Sequence, residues 1–408
     1  MLNQSVITSP NLDIKQRKWL FLVILILMST CGLIGSDLYL PTLPDMGIKL
    51  SKDPFTMQLT LSIYLLGLSI GQLILGPLTD HYGRKKLLIL GMIIYCFASF
   101  SCALVSNYSQ FLILRFMQAL GACSGLIIGR AIVGDLFDAK KSAEIFSTIF
   151  PFVGMSPAIS PVIGGIIGYY FGWQANFIFI SLLSLLIAIL IIHYLPETLL
   201  TSNRQPINFL KVLSAYCSLC INKKFIAYVS APCTAYIAYF AYMAESPFIF
   251  HANGFDERIM GSFYITLSAA YVLGNIAGKK IINFIDLNRA LFCGYTFFNL
   301  GGLLLLISCL LKLSVSYLIF SMSVLTFGNG FLIPLGTAGV ISSFSKIRGY
   351  ASGLLGFLQI GSAALSSSLV GLLSYNDSIV GLGTYILITT LFGLLLFLLF
   401  IPKNEFSR

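Results

Sequence analysis

Four charged residues stand within or close to long apolar runs: Asp37, Arg115, Arg130 and Glu245. A charge near the centre of a bilayer costs roughly 2.5–3.5 kcal/mol on insertion scales, so such residues are rare and mark ion or substrate paths. Asp37 precedes Leu40-Pro41, and Glu245 precedes Ser246-Pro247. An acid facing a cavity can carry a proton and surrender it when water or a cation arrives. Proton exchange coupled to the movement of a second solute is the chemistry these residue types permit. For Glu245 the plain alternative is a side chain reaching the outer headgroups. Arg115 and Arg130 lie fifteen residues apart, close to four helical turns, and so share roughly one helix face. A guanidinium keeps its charge and needs a partner. Arg115 can meet an acid of the first apolar run, and Arg130 has Asp135 five residues on. Tyr39 and the trio Tyr236, Tyr239 and Tyr242 could offer aromatic surface to the same cavity.

The elements that must position these residues follow from composition. The chain has 408 residues, 57% hydrophobic and only 10% charged, with a mean hydropathy of +0.90. A soluble fold could not hide so much apolar surface, so the class is a polytopic membrane protein. Runs long enough to cross about 30 Å of hydrocarbon number twelve: 18–40, 57–78, 87–106, 110–136, 143–171, 174–195, 224–250, 260–284, 289–311, 314–340, 349–373 and 380–401. With both termini placed in the cytoplasm, 19 of the 25 basic residues fall in cytoplasmic connections. Four (Lys49, Lys52, Arg258 and Lys312) fall on the other side. This asymmetry follows the positive-inside rule and accounts for most of the net charge of +10 without nucleic acid.

The longest cytoplasmic connection, 196–223, divides a first six-helix half (1–195) from a second (224–408). The halves repeat. Tyr64, Gly67 and Gly71 recur as Tyr271, Gly274 and Gly278, and Gly121 and Gly129 as Gly328 and Gly336, all at an offset of 207. Asp37 and Glu245 differ by 208, so the two acids hold nearly equivalent places. The same offset sets Leu287 and Leu291 opposite Asp80 and Arg84. Halves related in this way rock about a site near the midplane. Other motifs lead nowhere: Gly67-Leu68-Ser69-Ile70-Gly71 matches a nucleophile elbow but sits in an apolar span, and no P-loop is present. Cys217 and Cys220 form a CxxC in a polar stretch with no second pair or nearby histidine. No metal or organic cofactor is expected, and an ion gradient is the expected source of energy.

The loop Gly76-Pro77-Leu78-Thr79-Asp80-His81-Tyr82-Gly83-Arg84-Lys85-Lys86 resembles the GxLxDrxGRkk loop of the major facilitator superfamily. The resemblance implies a conformational latch built on Gly76, Asp80, Gly83 and Arg84. The run around Arg115-Phe116-Met117-Gln118 is similar to the family's fourth-span motif, whose arginine is tied to proton coupling. Ser160-Pro161-Val162-Ile163-Gly164-Gly165 resembles the antiporter motif, with Ser for the usual first Gly. Asp37-Leu38-Tyr39-Leu40-Pro41, Arg130 to Phe137, Gly172 to Phe177 and Leu195-Pro196-Glu197-Thr198-Leu199 are similar to the Bcr/CflA branch of drug:proton antiporters. In that branch the resemblance makes Asp37 the acid for proton and substrate.

The expectation is therefore an all-α integral membrane protein with twelve transmembrane helices in two pseudo-symmetric halves. It would be a monomer in the bacterial cytoplasmic membrane, not an enzyme. It would export small amphipathic substrates in exchange for protons, with Asp37 central, Arg115 modulating it and Glu245 a second candidate. The same fold could instead import a solute, or carry a specific metabolite or siderophore. A receptor or scaffold that transports nothing is the remote alternative.

Overall fold

The computed structural model describes residues 18–137, 139–199, 204, 209–344, 347–373 and 379–401. Among them are fourteen α-helices and no strand. They are α1 (Lys18–Asp37), α2 (Leu43–Leu50), α3 (Pro54–Tyr82), α4 (Arg84–Leu104), α5 (Tyr108–Leu136), α6 (Ala139–Phe171), α7 (Trp173–Tyr194), α8 (Phe209–Cys220), α9 (Lys223–Ala252), α10 (Glu257–Ile281), α11 (Leu287–Leu310), α12 (Val315–Ser343), α13 (Arg348–Leu373) and α14 (Ile379–Phe400). Twelve segments are long and apolar enough to span a membrane, the first running from Trp19 to Leu50 through α1 and α2.

Polar residues at the span ends start the helices. Asp53 accepts the Thr56 N–H at 2.7 Å, Asn107 that of Ser109 at 2.9 Å, Asn222 that of Lys224 at 3.0 Å and Asp256 that of Ile259 at 2.8 Å. Each satisfies donors that a helix N-terminus leaves open. Two span junctions take a single residue. Gly83 (φ 99°) joins α3 to α4 and Gly172 (φ 79°) joins α6 to α7, in backbone conformations that a side chain would strain. The first span breaks after Asp37. Pro41 and Pro44 follow, and a short 3-10 turn, Leu40–Thr42, replaces the helix before α2 begins.

The packing is two-fold. In the first half α4 packs on α5 and α7, α3 on α5, and α1 on α5, α6 and α7. In the second, α11 packs on α12 and α14, α10 on α12, and α9 on α12, α13 and α14. Across the seam, α3 meets α13 and α6 meets α10. One offset does not serve every helix. Gly121 of α5 packs on Gly91 and Tyr95, and Gly328 of α12 packs on Gly294 and Phe298. The α4/α11 register is therefore four residues shorter than the 207 of α5/α12, and Arg84 corresponds to Leu287, not Leu291. The connection 196–223 also holds α8, which packs on α13 through Tyr216 and Tyr350, their ring centroids 6.3 Å apart. The two chain termini lie outside the described residues.

Candidate functional site

Asp37 is the last residue of α1 and is 1% exposed. Its Oδ1 accepts a hydrogen bond from the Ser36 hydroxyl at 2.9 Å. The proline-rich break directly after it places this carboxyl at a helix C-terminus. Tyr236 and Tyr239 of α9 and Tyr264 of α10 interact with its charge from across the seam. The charge of the acid in one half thus reaches tyrosines of the other.

Arg115 is wholly buried. Its guanidinium lies between the rings of Tyr39 and Tyr64, 4.3 and 4.2 Å from their centroids. Nη1 donates to the Gly35 carbonyl at 3.1 Å and to Gln118 Oε1 at 2.6 Å, and Nε donates to the Thr60 carbonyl at 3.4 Å. The Gly35 carbonyl belongs to the last turn of α1, where carbonyls lack helical partners and a cation is favoured. The expected meeting of Arg115 with an acid is therefore replaced by a helix cap and two aromatic faces, among the described residues. Tyr64 and Tyr95 donate to the neighbouring carbonyls of Gly32 and Cys31, both at 2.7 Å. Three long side chains from α3, α4 and α5 thereby pin the end of α1 that carries Asp37. Tyr39 completes the cluster with a 2.9 Å hydrogen bond to Thr60.

Arg130 is exposed, and it interacts electrostatically with Tyr236. The expected Arg130–Asp135 pair is not formed. Asp135 Oδ2 is taken by Arg84 Nε and by the Thr198 hydroxyl, both at 3.0 Å. Tyr236 also interacts with Gln359 of α13. Tyr242 turns away from the seam: it is buried against Phe250, and among the described residues its hydroxyl has no hydrogen-bond partner. Six residues on a helix rotate a side chain about 240°, so Tyr236 and Tyr242 do not share a face.

Glu245 does not stand alone at the headgroups. Gln58 of α3 donates to its Oε2 at 2.5 Å, joining the halves near the ends of α3 and α9. Gln58 opens a polar row on α3 that the sequence reading missed. Ser62 bonds Ser367 at 2.7 Å, Ser69 donates to the Phe357 carbonyl at 2.9 Å and Gln72 to the Gly356 carbonyl at 3.3 Å. The spacing 58, 62, 69, 72 keeps one helix face and was open to view as a polar stripe in an apolar span. Asp45 of α2 and Glu257 of α10 also interact electrostatically across the seam.

The Ser160 to Gly165 motif is a packing seam. Ser160 is buried, Gly164 lies against the Leu38 carbonyl beside Asp37, Gly165 against the Glu257 carbonyl, and the Pro161 carbonyl against Gly261. A Cβ at Gly164 or Gly165 would enter the neighbouring backbone.

The latch residues gather at the opposite ends of the helices. Buried Arg84 binds Asp80 at 2.6 Å, Asp135 at 3.0 Å and the Thr79 hydroxyl at 2.7 Å. Glu197 accepts the N–H groups of Arg84 at 2.9 Å and Lys85 at 3.2 Å, capping α4. Gly83 leaves room for that carboxylate, while a Cβ at Gly76 would meet nothing. Among the described residues the partners of Asp80 and Arg84 all lie in the first half or, for Glu197, just beyond it.

Comparison with known proteins places this geometry. A family model described as Major Facilitator Superfamily matches residues 25–244. The chain is 27% identical over 395 residues to Multidrug resistance protein D of Escherichia coli K12, covering 95% of this chain and 96% of that one. It is 24% identical over 353 residues to a bicyclomycin resistance protein homolog of Haemophilus influenzae, covering 86% and 89%. Among solved structures, a D-xylose-proton symporter superposes with a TM-score of 0.78 at 13% identity, covering 95% and 98%. That last likeness bears on the fold alone.

Proposed function

The chain belongs to the major facilitator superfamily and is a multi-pass membrane transporter, and from that premise we propose that it exports small amphipathic compounds in exchange for protons. The observation that carries the reading is Asp37. It is a buried carboxyl at the broken end of α1, held in place by its own half and within electrostatic reach of Tyr236, Tyr239 and Tyr264 of the other. A proton and an amphipathic solute arriving at that spot would compete for one acid, with the tyrosine faces taking the apolar part of the solute. Arg115 holds the end of α1 by its cap on Gly35, so it acts on Asp37 through position. Alternation would follow from rocking of the two halves about the α3–α13 and α6–α10 seams. The Gln58–Glu245 contact would break when that end opens, and the Arg84 cluster would brace the opposite end.

The resistance proteins among the relatives support export. The reading includes a monomer in a bacterial cytoplasmic membrane, both termini in the cytoplasm, and a proton gradient as the only coupled resource. Import, or carriage of one metabolite, is the second reading; it is favoured by Ser160 in place of the antiporter motif's first glycine.

The test is substrate flux in everted vesicles under an imposed proton gradient, with cationic, neutral and anionic compounds. Export predicts gradient-dependent accumulation that is lost in Asp37→Asn and retained in Glu245→Gln. Flux that ignores collapse of the gradient would overturn the reading.

A further inference from the structure

The turn between α3 and α4 bounds a cavity of about 310 Å³ lined by Tyr82, Lys85, Lys86, Ile89, Glu197 and Arg204. Three cations share it with one carboxylate, and that carboxylate is already engaged. Glu197 accepts the backbone N–H groups of Arg84, Lys85, Thr198 and Leu199 at 2.9–3.2 Å. Lys85 spends one of its three protons on the Ile192 carbonyl at 2.9 Å. Lys86 and Arg204 are exposed, and neither is ion-paired among the described residues. The cavity therefore holds excess positive charge with unspent donors from two side-chain types, an arrangement suited to a phosphate.

The surroundings say which phosphate. Lys86 heads a stripe on α4 formed by Leu90 (51% exposed), Ile93 (38%) and Phe97 (68%). The spacings of four, three and four residues keep one helix face. Helix α7 packs beside α4 and presents Leu185 and Ile189, both exposed. An apolar track thus leads from the cations up along the span. Tyr82, exposed at the rim, has the amphipathic ring favoured at headgroup level. A free inorganic anion would use the cations but not the track.

We propose that this cavity is a binding site for an anionic glycerophospholipid, its phosphate held by Lys85, Lys86 and Arg204 and an acyl chain lying on Leu90, Ile93 and Phe97. The site sits against the Gly83 turn, whose missing Cβ leaves space for Glu197 and Arg204. A bound headgroup would therefore strap the Leu195–Leu199 segment to the start of α4.

The experiment uses the full-length chain purified in a neutral detergent and followed by thermal unfolding. Phosphatidylglycerol, phosphatidylcholine and inorganic phosphate are titrated separately into wild type and into the double variant Lys86→Gln/Arg204→Gln. Both replaced residues are exposed and outside the transport machinery, so the double variant should unfold at the wild-type temperature without lipid. The proposal predicts saturable protection of wild type by phosphatidylglycerol alone, with the titration midpoint moved about tenfold higher in the double variant. A second variant, Leu90→Ser/Phe97→Ser, should weaken the same protection without altering the cations. Equal protection of wild type and the double variant would overturn the site. Protection by inorganic phosphate as strong as by phosphatidylglycerol would overturn the lipid in favour of a free anion.

Discussion

The two halves share a scaffold and differ in what fills it. Where α5 buries Arg115 and Gln118, α12 at the same register buries Met322 and Leu325. Where α4 begins with Arg84, bound to two acids, α11 begins with Leu287. Asp37 has Ala244 at the 207 offset, one residue short of Glu245. Glycines at the helix crossings are retained, as Gly121 and Gly328 are. Close packing is thus a demand of the fold and is met twice, whereas buried charge is met once. A buried guanidinium carries a desolvation cost that a methionine avoids, and apolar replacements of buried charged groups are often neutral or stabilising. The second half demonstrates the apolar solution within the same molecule. Stability alone does not call for the charged solution in the first half; under the proposed function it serves the chemistry of Asp37.

Importing the second half's residues is the sharpest way to break this comparison. Arg115→Met alone strips the Gly35 cap and leaves Gln118 half-satisfied, so it should lower unfolding stability by about 1–3 kcal/mol. Adding Gln118→Leu should restore most of that loss while flux stays at background. Recovery of flux in the double variant would dissolve the distinction between the halves. Arg84→Leu should come next. Among the described residues Asp135 keeps only Thr198, and a loss of about 1–2 kcal/mol in the detergent-solubilised protein is expected; the loss would be read as a fall in thermal midpoint.

The smallest effect should come where the halves agree. Asp53 caps α3 as Asp256 caps α10, and Ala at either should cost about 1 kcal/mol. The Thr56 N–H holds the Asp53 carboxyl below the usual carboxylate range. Its contribution is then complete above about pH 4 and is lost as pH falls through the lowered value. Stability curves of wild type and Asp53→Ala, measured against pH, should converge on the acid side; a constant gap down to the lowest pH would contradict the cap.

What the sequence made legible follows from range. The spans are local patterns, and each expected run lies on one described helix or on a helix and its turn. Helices α2 and α8 escaped, the first because prolines interrupt it and the second because its polar connection hides a short amphipathic turn. Asp37 was legible as a charge in the wrong solvent. Its neighbour Arg115 was legible as an anomaly, but its partners were not, since backbone carbonyls and ring faces leave no signature in spacing. Asp135 shows the limit most plainly: the cations nearest in sequence are Arg130 and Lys140, and the one it binds is Arg84, brought there by the α4–α5 packing. Gln58 and Glu245 are 187 residues apart and meet only once the halves close.

The most direct test of the account is proton release on substrate binding. Purified wild type and Asp37→Asn are mixed with a transported compound in weakly buffered detergent solution, and the pH change is recorded. The account predicts stoichiometric release from wild type and none from Asp37→Asn, with both variants folded by thermal unfolding. Equal release from the two would remove Asp37 from the exchange and contradict the central claim.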